Sequence, residues 1–71
     1  MITIKPIPGK IERLATYKGM SMSHLARLAE ITAPGLYKVI GGTANTRAST
    51  AKAIAEALKV DMMELFTIEK G

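Results

Sequence analysis

The feature that most constrains this chain is a pair of short apolar stripes at helical spacing, set only a few residues apart. Leu25, Ala26, Leu28 and Ala29 make the first, and Leu36, Val39 and Ile40, at i, i+3 and i+4, make the second. Each stripe has its own start signal. Ser21 or Ser23 supplies an N-cap hydroxyl for the first, and Thr32 supplies one for the second. Pro34 falls in the first turn of the second helix, where an amide has no intrahelical partner to lose. Gly41 and Gly42 then stop that helix. Glu30 and Ile31 leave room only for a tight connection. The small side chain of Ala26 suits a close helix crossing, and Ile31 supplies an apolar residue for the turn.

The flanks extend the helical pattern. A helix over residues 9–18 carries Ile11, Leu14 and Ala15 inward, with Pro8 in its first turn and Gly19 closing it. After the polar loop of Thr43, Ala44, Asn45 and Thr46, a helix over residues 47–58 presents Ala51, Ile54, Ala55 and Leu58, with Thr46 as its cap. Asp61 and Glu64 have capping-box spacing and open a fifth helix running through Phe66. Ile2 and Ile4 alternate with Thr3 and Lys5 as an extended arm does, until Pro6 and Pro8 end it. The expected architecture is all-α, a compact domain of five short helices with extended terminal tails. The arm occupies residues 1–7, the helical body 8–66 with its helix pair at about 22–40, and the C-terminal tail 67–71.

Composition closes off other classes. A chain of 71 residues holds one domain with a modest core. Without cysteine it has neither disulfides nor thiolate metal sites, and its single histidine, His24, is too few for an imidazole cluster, so no metal or cofactor is expected. Its 48% hydrophobic residues include no run near the roughly 18 that span a membrane, and the N-terminus alternates instead of forming a signal core. A cytoplasmic protein with no membrane partner is expected. Ten lysines and arginines against six acidic residues leave a net charge of +4, which favours phosphate-rich partners. No nucleophile, base and orienting group can be assembled, and no Gly-rich loop follows a strand, so neither an enzyme nor a small-molecule substrate is expected.

The stretch KGMSMSHLA over residues 18–26, followed by Ile31, Thr32 and Leu36, then Gly42 and ALKVD over residues 57–61, resembles the phage Cro/repressor helix-turn-helix family of DNA-binding transcriptional regulators. The resemblance covers about residues 9–66. It implies a lambda-repressor-like fold with a recognition helix at residues 33–40, and the helical wheel independently exposes Ala33, Pro34, Tyr37, Lys38 and Gly41 on that helix. Base contacts are expected from Lys38 to guanine, from Ala33 and Pro34 to thymine methyls, and from Tyr37, which also reaches the backbone. Phosphate contacts are expected from Ser21, Ser23, Thr32, Thr43, Asn45, Thr46 and Arg47. Lys10, Arg13, Arg27 and Lys52 read as plain surface charges.

The chain departs from the family at several of these positions. Met22 stands where glutamine is common, Glu30 where the turn often has glycine, and Lys59 where glycine precedes the last valine. The arginine and glutamate that many relatives pair between helices one and three correspond to Ala15 and Ile40, so both charges are replaced together and neither is stranded. The expected partner is double-stranded DNA, bound by a homodimer on palindromic half-sites about 34 Å apart. Residues around Met63, Leu65 and Phe66, or strand pairing by residues 2–7 or 67–69, are the candidate dimer surfaces. A repressor is the leading reading. The apolar run Ala33, Pro34 and Gly35 with Tyr37 motivates the alternative, a protein-interaction or antitoxin-like module that keeps the fold with weakened DNA readout.

Overall fold

Three helices end by the same device, and that device sets the angles of the core. The computed structural model describes residues 2–42 and 46–70. Its elements are β1 (Ile2–Pro6), α1 (Lys10–Tyr17), α2 (Met22–Leu28), α3 (Ala33–Gly41), α4 (Ala48–Leu58), a single 3-10 turn (Met62–Glu64) and β2 (Phe66–Lys70). After α1, α2 and α4 a residue turns left-handed: Gly19 at φ 73°, Glu30 at φ 58° and Lys59 at φ 58°. The next amide then reaches back to the fifth residue before it. Met20 donates to the Ala15 carbonyl at 2.8 Å, Ile31 to Ala26 at 2.9 Å and Val60 to Ala55 at 3.0 Å. This Schellman closure uses carbonyls the helix would otherwise leave bare, and it turns an apolar residue back toward the helix. Met20, Ile31 and Val60 all pack against the core accordingly.

Glycine suits the left-handed position, and only α1 has it there. Glu30 and Lys59 hold the same conformation with a Cβ, at a cost of about 1–2 kcal/mol each. That cost is tolerated because each turn is fixed by a buried residue before it, Ala29 or Leu58, and by a half-buried one after it, Ile31 or Val60, packed on the core.

The core is formed by Ile11, Leu25, Leu36, Ile54, Leu58, Leu65 and Phe66, all fully buried, with Ala15, Ala26, Ala51 and Ala55 where helices approach closely. Ala26 is 2% exposed. From that position α2 packs against both α3 and α4. Ala15 is fully buried and Ile40 packs on the same cluster, so neither position leaves a charge inside.

The expectation of an all-α, five-helix chain is corrected. Among the described residues the fold is mostly helical, with four α-helices and a small two-stranded antiparallel sheet. The segments expected as separate extended tails pair with each other, Ile4 opposite Ile68 and Pro6 opposite Phe66. Burial explains the pairing: Ile4 and Phe66 lie on one face of the ribbon and both enter the core. The expected fifth helix is only a 3-10 turn. Leu65 and Phe66 are consecutive and both fully buried, which suits the change into a strand better than one helix face. Thr67 and Ile68 are β-branched and extend readily. Asp61 does cap the turn, its Oδ1 accepting from the Met63 amide at 2.9 Å.

Smaller differences have local causes. Pro8 precedes the helix instead of entering it, because Gly9 is the N-cap of α1. Met20 and Met62 pack on the core as gap fillers, but Met63 is 57% exposed.

Candidate nucleic-acid interface

Two hydroxyl caps fix the helix pair. Ser21, not Ser23, caps α2, its Oγ accepting from the His24 amide at 3.1 Å. Thr32 caps α3, its Oγ1 accepting from the Gly35 amide at 3.1 Å. A hydroxyl that accepts in this way keeps its own proton to donate outward, so capping and phosphate contact are compatible. Ser21, Ser23 and Thr32 are all exposed. Gly35 makes the second cap possible at this distance, since a Cβ there would stand 3.0 Å from Thr32 Oγ1.

The burial of α3 follows its stripe. Leu36 is fully buried, while Val39 and Ile40 are half-buried against the core. The opposite side presents Pro34, Tyr37 and Lys38, with Tyr37 58% exposed. Ala33 is half-buried and offers only part of its methyl group. The outward face of α3 is therefore mostly apolar, with one lysine and one phenol as its polar groups.

Beside that face lies a cleft between α3 and the start of α4, lined by Ile31, Gly35, Lys38, Val39, Thr46, Arg47 and Thr50. It joins three residues that the sequence had placed in two separate groups: Lys38 from the recognition helix, and Thr46 and Arg47 from the loop. Thr46 does not cap α4. Arg47 is the N-cap and makes no side-chain cap bond, and no acidic residue occupies the first turn. Among the described residues, the first amides of α4 have no side-chain cap acceptor of the kind most helix starts have. Thr46 is only 7% exposed, and its Oγ1 has no hydrogen-bond partner among the described residues. A buried hydroxyl without a partner is uncommon and calls for an explanation.

Helix-start amides and a hydroxyl with no side-chain partner among the described residues, together with two cations, form a setting for an anion. Thr50 belongs to this cleft and was missed in the sequence. The available signal was its place three residues after Arg47, inside the first turn of α4. Ser21 and Ser23 stand apart at the start of α2 and do not line the cleft. Thr43 and Asn45 lie outside the described residues. No cluster of acidic, histidine or cysteine side chains able to hold a metal occurs among the described residues.

The sequence profile of the Cro/C1-type HTH DNA-binding domain fits residues 10–71, which take in all four α-helices. The chain belongs to the Cro/C1-type helix-turn-helix family. Among solved structures it is similar to the crystal structure of the restriction-modification controller protein C.AhdI from Aeromonas hydrophila. The two share 27% sequence identity at a TM-score of 0.72, over 78% of this chain and 83% of that one. Comparison with curated proteins gives no match. The chain is a DNA-binding regulator whose partner is double-stranded DNA. No helix among the described residues is long and apolar enough to cross a membrane.

Proposed function

We propose that this Cro/C1-type protein is a cytoplasmic transcriptional repressor that binds a palindromic operator as a homodimer, with one α3 in each major-groove half-site. Base contact falls to Ala33, Pro34, Tyr37 and Lys38. Lys38 donates to guanine O6 and N7, the commonest specific contact, and Pro34 with the exposed part of Ala33 packs on thymine methyls. Phosphate contact falls to Ser21, Ser23, Thr32, Thr43, Asn45, Thr46 and Arg47, which hold register without reading sequence. The observation that carries this reading is the cleft at the start of α4. It sets Lys38, Arg47 and the unpaired Thr46 hydroxyl beside the outward face of α3. A DNA phosphate in that cleft gives the hydroxyl an acceptor and the helix start an anion. A homodimer on two half-sites is favoured because a single module of this size buries little DNA surface.

The apolar character of α3 moves part of the specificity away from hydrogen bonds. Methyl contacts and sequence-dependent DNA shape then carry discrimination that hydrogen-bonding side chains would otherwise supply. Tyr37, 58% exposed beside Pro34, also favours a second reading, in which this face docks a protein.

Selection of bound duplexes from a random pool separates the two. A repressor enriches an inverted repeat with half-site centres about one helical turn apart, and its affinity falls steeply with salt as counterions are released. Folded protein that enriches nothing at low salt refutes DNA recognition by α3 and leaves the docking reading.

A further inference from the structure

Away from α3, a groove of about 540 Å³ opens where three helices end. Met20, just past α1, lines it together with Ala29 at the end of α2 and Ala53 and Ala57 of α4. These apolar residues form its floor, Ala29 buried and the others half-buried. Leu28 lines it too and is 48% exposed, an aliphatic side chain left largely in water. α4 starts at the cleft beside α3 and ends at this groove, and the two sites share no residue.

Three charged residues, all exposed, complete the rim: Glu30, Glu56 and Lys59. Among the described residues neither carboxylate has an ion-pair partner. The helices add to their field, because α1, α2 and α4 all bring their negative, C-terminal ends here. The last turns of α1 and α4 contain no basic residue, and Arg27 in the last turn of α2 does not line the groove. A chain of net charge +4 thus carries a locally acidic site with an apolar floor. Among the described residues, Glu30 and Lys59 are also the two non-glycine positions held left-handed, both at φ 58°. Glycine meets such turns without strain. Both positions instead carry a charged side chain on the rim of one groove, and retained strain of this kind clusters where ligands are clamped.

We propose that this groove docks a basic amphipathic helix of a partner protein. An aliphatic side chain of the partner lies against Leu28 and the alanines, and an arginine or lysine lies between Glu30 and Glu56. The apolar floor calls for an apolar side chain to cover it, and the carboxylates call for a cation. One face of a helix supplies both at i, i+3 and i+4 spacing. Nucleic acid is unsuited, because its phosphates meet the carboxylates. A small polyamine answers the charges but leaves Leu28 and the floor in water. Lys59 disfavours a helix that is basic on every side. The docking does not depend on how α3 reads DNA.

The probe is a stapled, alanine-based helix of about 16 residues, with leucines at i and i+4 and arginines at i+3 and i+7 on one face. Its control carries glutamate in place of both arginines. Each is titrated into the isotope-labelled full chain and followed by amide chemical shifts. The expected result is saturable shifts confined to Met20 and to residues 28–30 and 53–59, with the arginine peptide bound at least about tenfold more tightly than the control. Leu28→Gln and Glu56→Gln, both at exposed positions, should each weaken that binding about threefold or more, with folding checked by circular dichroism. If one variant fails to fold, the other and the control peptide decide. Equal affinity for the two peptides, shifts centred on Lys38 and Arg47 instead, or no saturable binding overturns the docking site. Two further outcomes also overturn it. Spermidine saturating the same residues as tightly as the peptide assigns the groove to a small cation. Concentration-dependent shifts there in the protein alone assign it to a second copy.

Discussion

Thr46→Val should move stability and DNA affinity in opposite directions. Valine nearly matches threonine in shape, so the substitution removes the hydroxyl and leaves no cavity. In the free protein that hydroxyl is 7% exposed as part of its residue and has no partner among the described residues. Burying an unpaired hydroxyl costs about 1–3 kcal/mol by protein substitution data. Valine should recover roughly the lower half of that range, since Thr46 sits at a cleft wall that water reaches. For a domain of this size each kcal/mol shifts Tm by about 4–8 °C, so a rise of several degrees is expected in calorimetry or in a helical melt.

On the proposed reading the same hydroxyl donates to a phosphate in the complex, and a hydrogen bond to a charged group is worth about 1.5–3 kcal/mol. Affinity should fall about tenfold per half-site, measured by fluorescence anisotropy on the selected operator. Thr46→Ser serves as the control, because it keeps the donor and should keep the binding. A valine variant that melts lower means the hydroxyl is satisfied in the free protein. One that melts higher and binds equally well means the cleft does not hold the backbone. Either result refutes the reasoning.

Other perturbations test other steps. Lys38→Ala should cost about 1–3 kcal/mol of operator affinity and relax preference at one base position, as read by repeating the duplex selection with the variant. Lys59→Gly and Glu30→Gly should each stabilise the fold by about 0.5–1 kcal/mol, because relief of the left-handed strain exceeds glycine's extra unfolded-state entropy. Lys59→Ala, which keeps the Cβ, should show no such gain in the same denaturant titration. Leu36→Ala should cost about 2–5 kcal/mol, enough to unfold much of a 71-residue domain at ambient temperature, and circular dichroism would register the loss.

What the sequence reveals depends on how local the physics is. Thr32, Pro34 and the stripe of Leu36, Val39 and Ile40 act within a few residues of one another, and α3 lies where that pattern places it. Ser21 is decided over Ser23 by cap geometry that either serine's chemistry permits. The ribbon is a different case. Ile2, Ile4 and Pro6 alternate visibly, but their partners lie sixty or more residues away, and neither half is recognisable as paired from its own composition. The same limit applies to Phe66, whose apolar side chain fits a helix face or a strand equally well until Leu65 beside it is known to be buried too. The cleft was legible only in parts: Lys38, Thr46 and Arg47 were each visible as candidates, but their meeting depends on how α4 starts against α3.

On the proposed reading, that meeting lets a recognition helix poor in polar readers still serve an operator. Ala33, Pro34 and Gly35 give up hydrogen bonds to base edges, and each good bidentate base contact is worth about 1–3 kcal/mol of discrimination. The lost readout cannot be recovered by Lys38 alone. On the proposed reading the remaining resource is rigid placement: the caps at Ser21 and Thr32, the turns at Glu30 and Lys59 and the cleft at Thr46 would together hold α3 at one height above the DNA backbone. A helix held that firmly discriminates by which sequences let the groove accept it, so a mismatch is felt as strain in the DNA. On this argument, mutating base pairs that α3 does not touch should lower affinity about as much as mutating those it does. Loosening the clamp through Thr46→Val should shrink the first effect more than the second. A mutation scan of the operator with both proteins measures this directly, and equal losses at touched and untouched positions in both proteins would sink the argument.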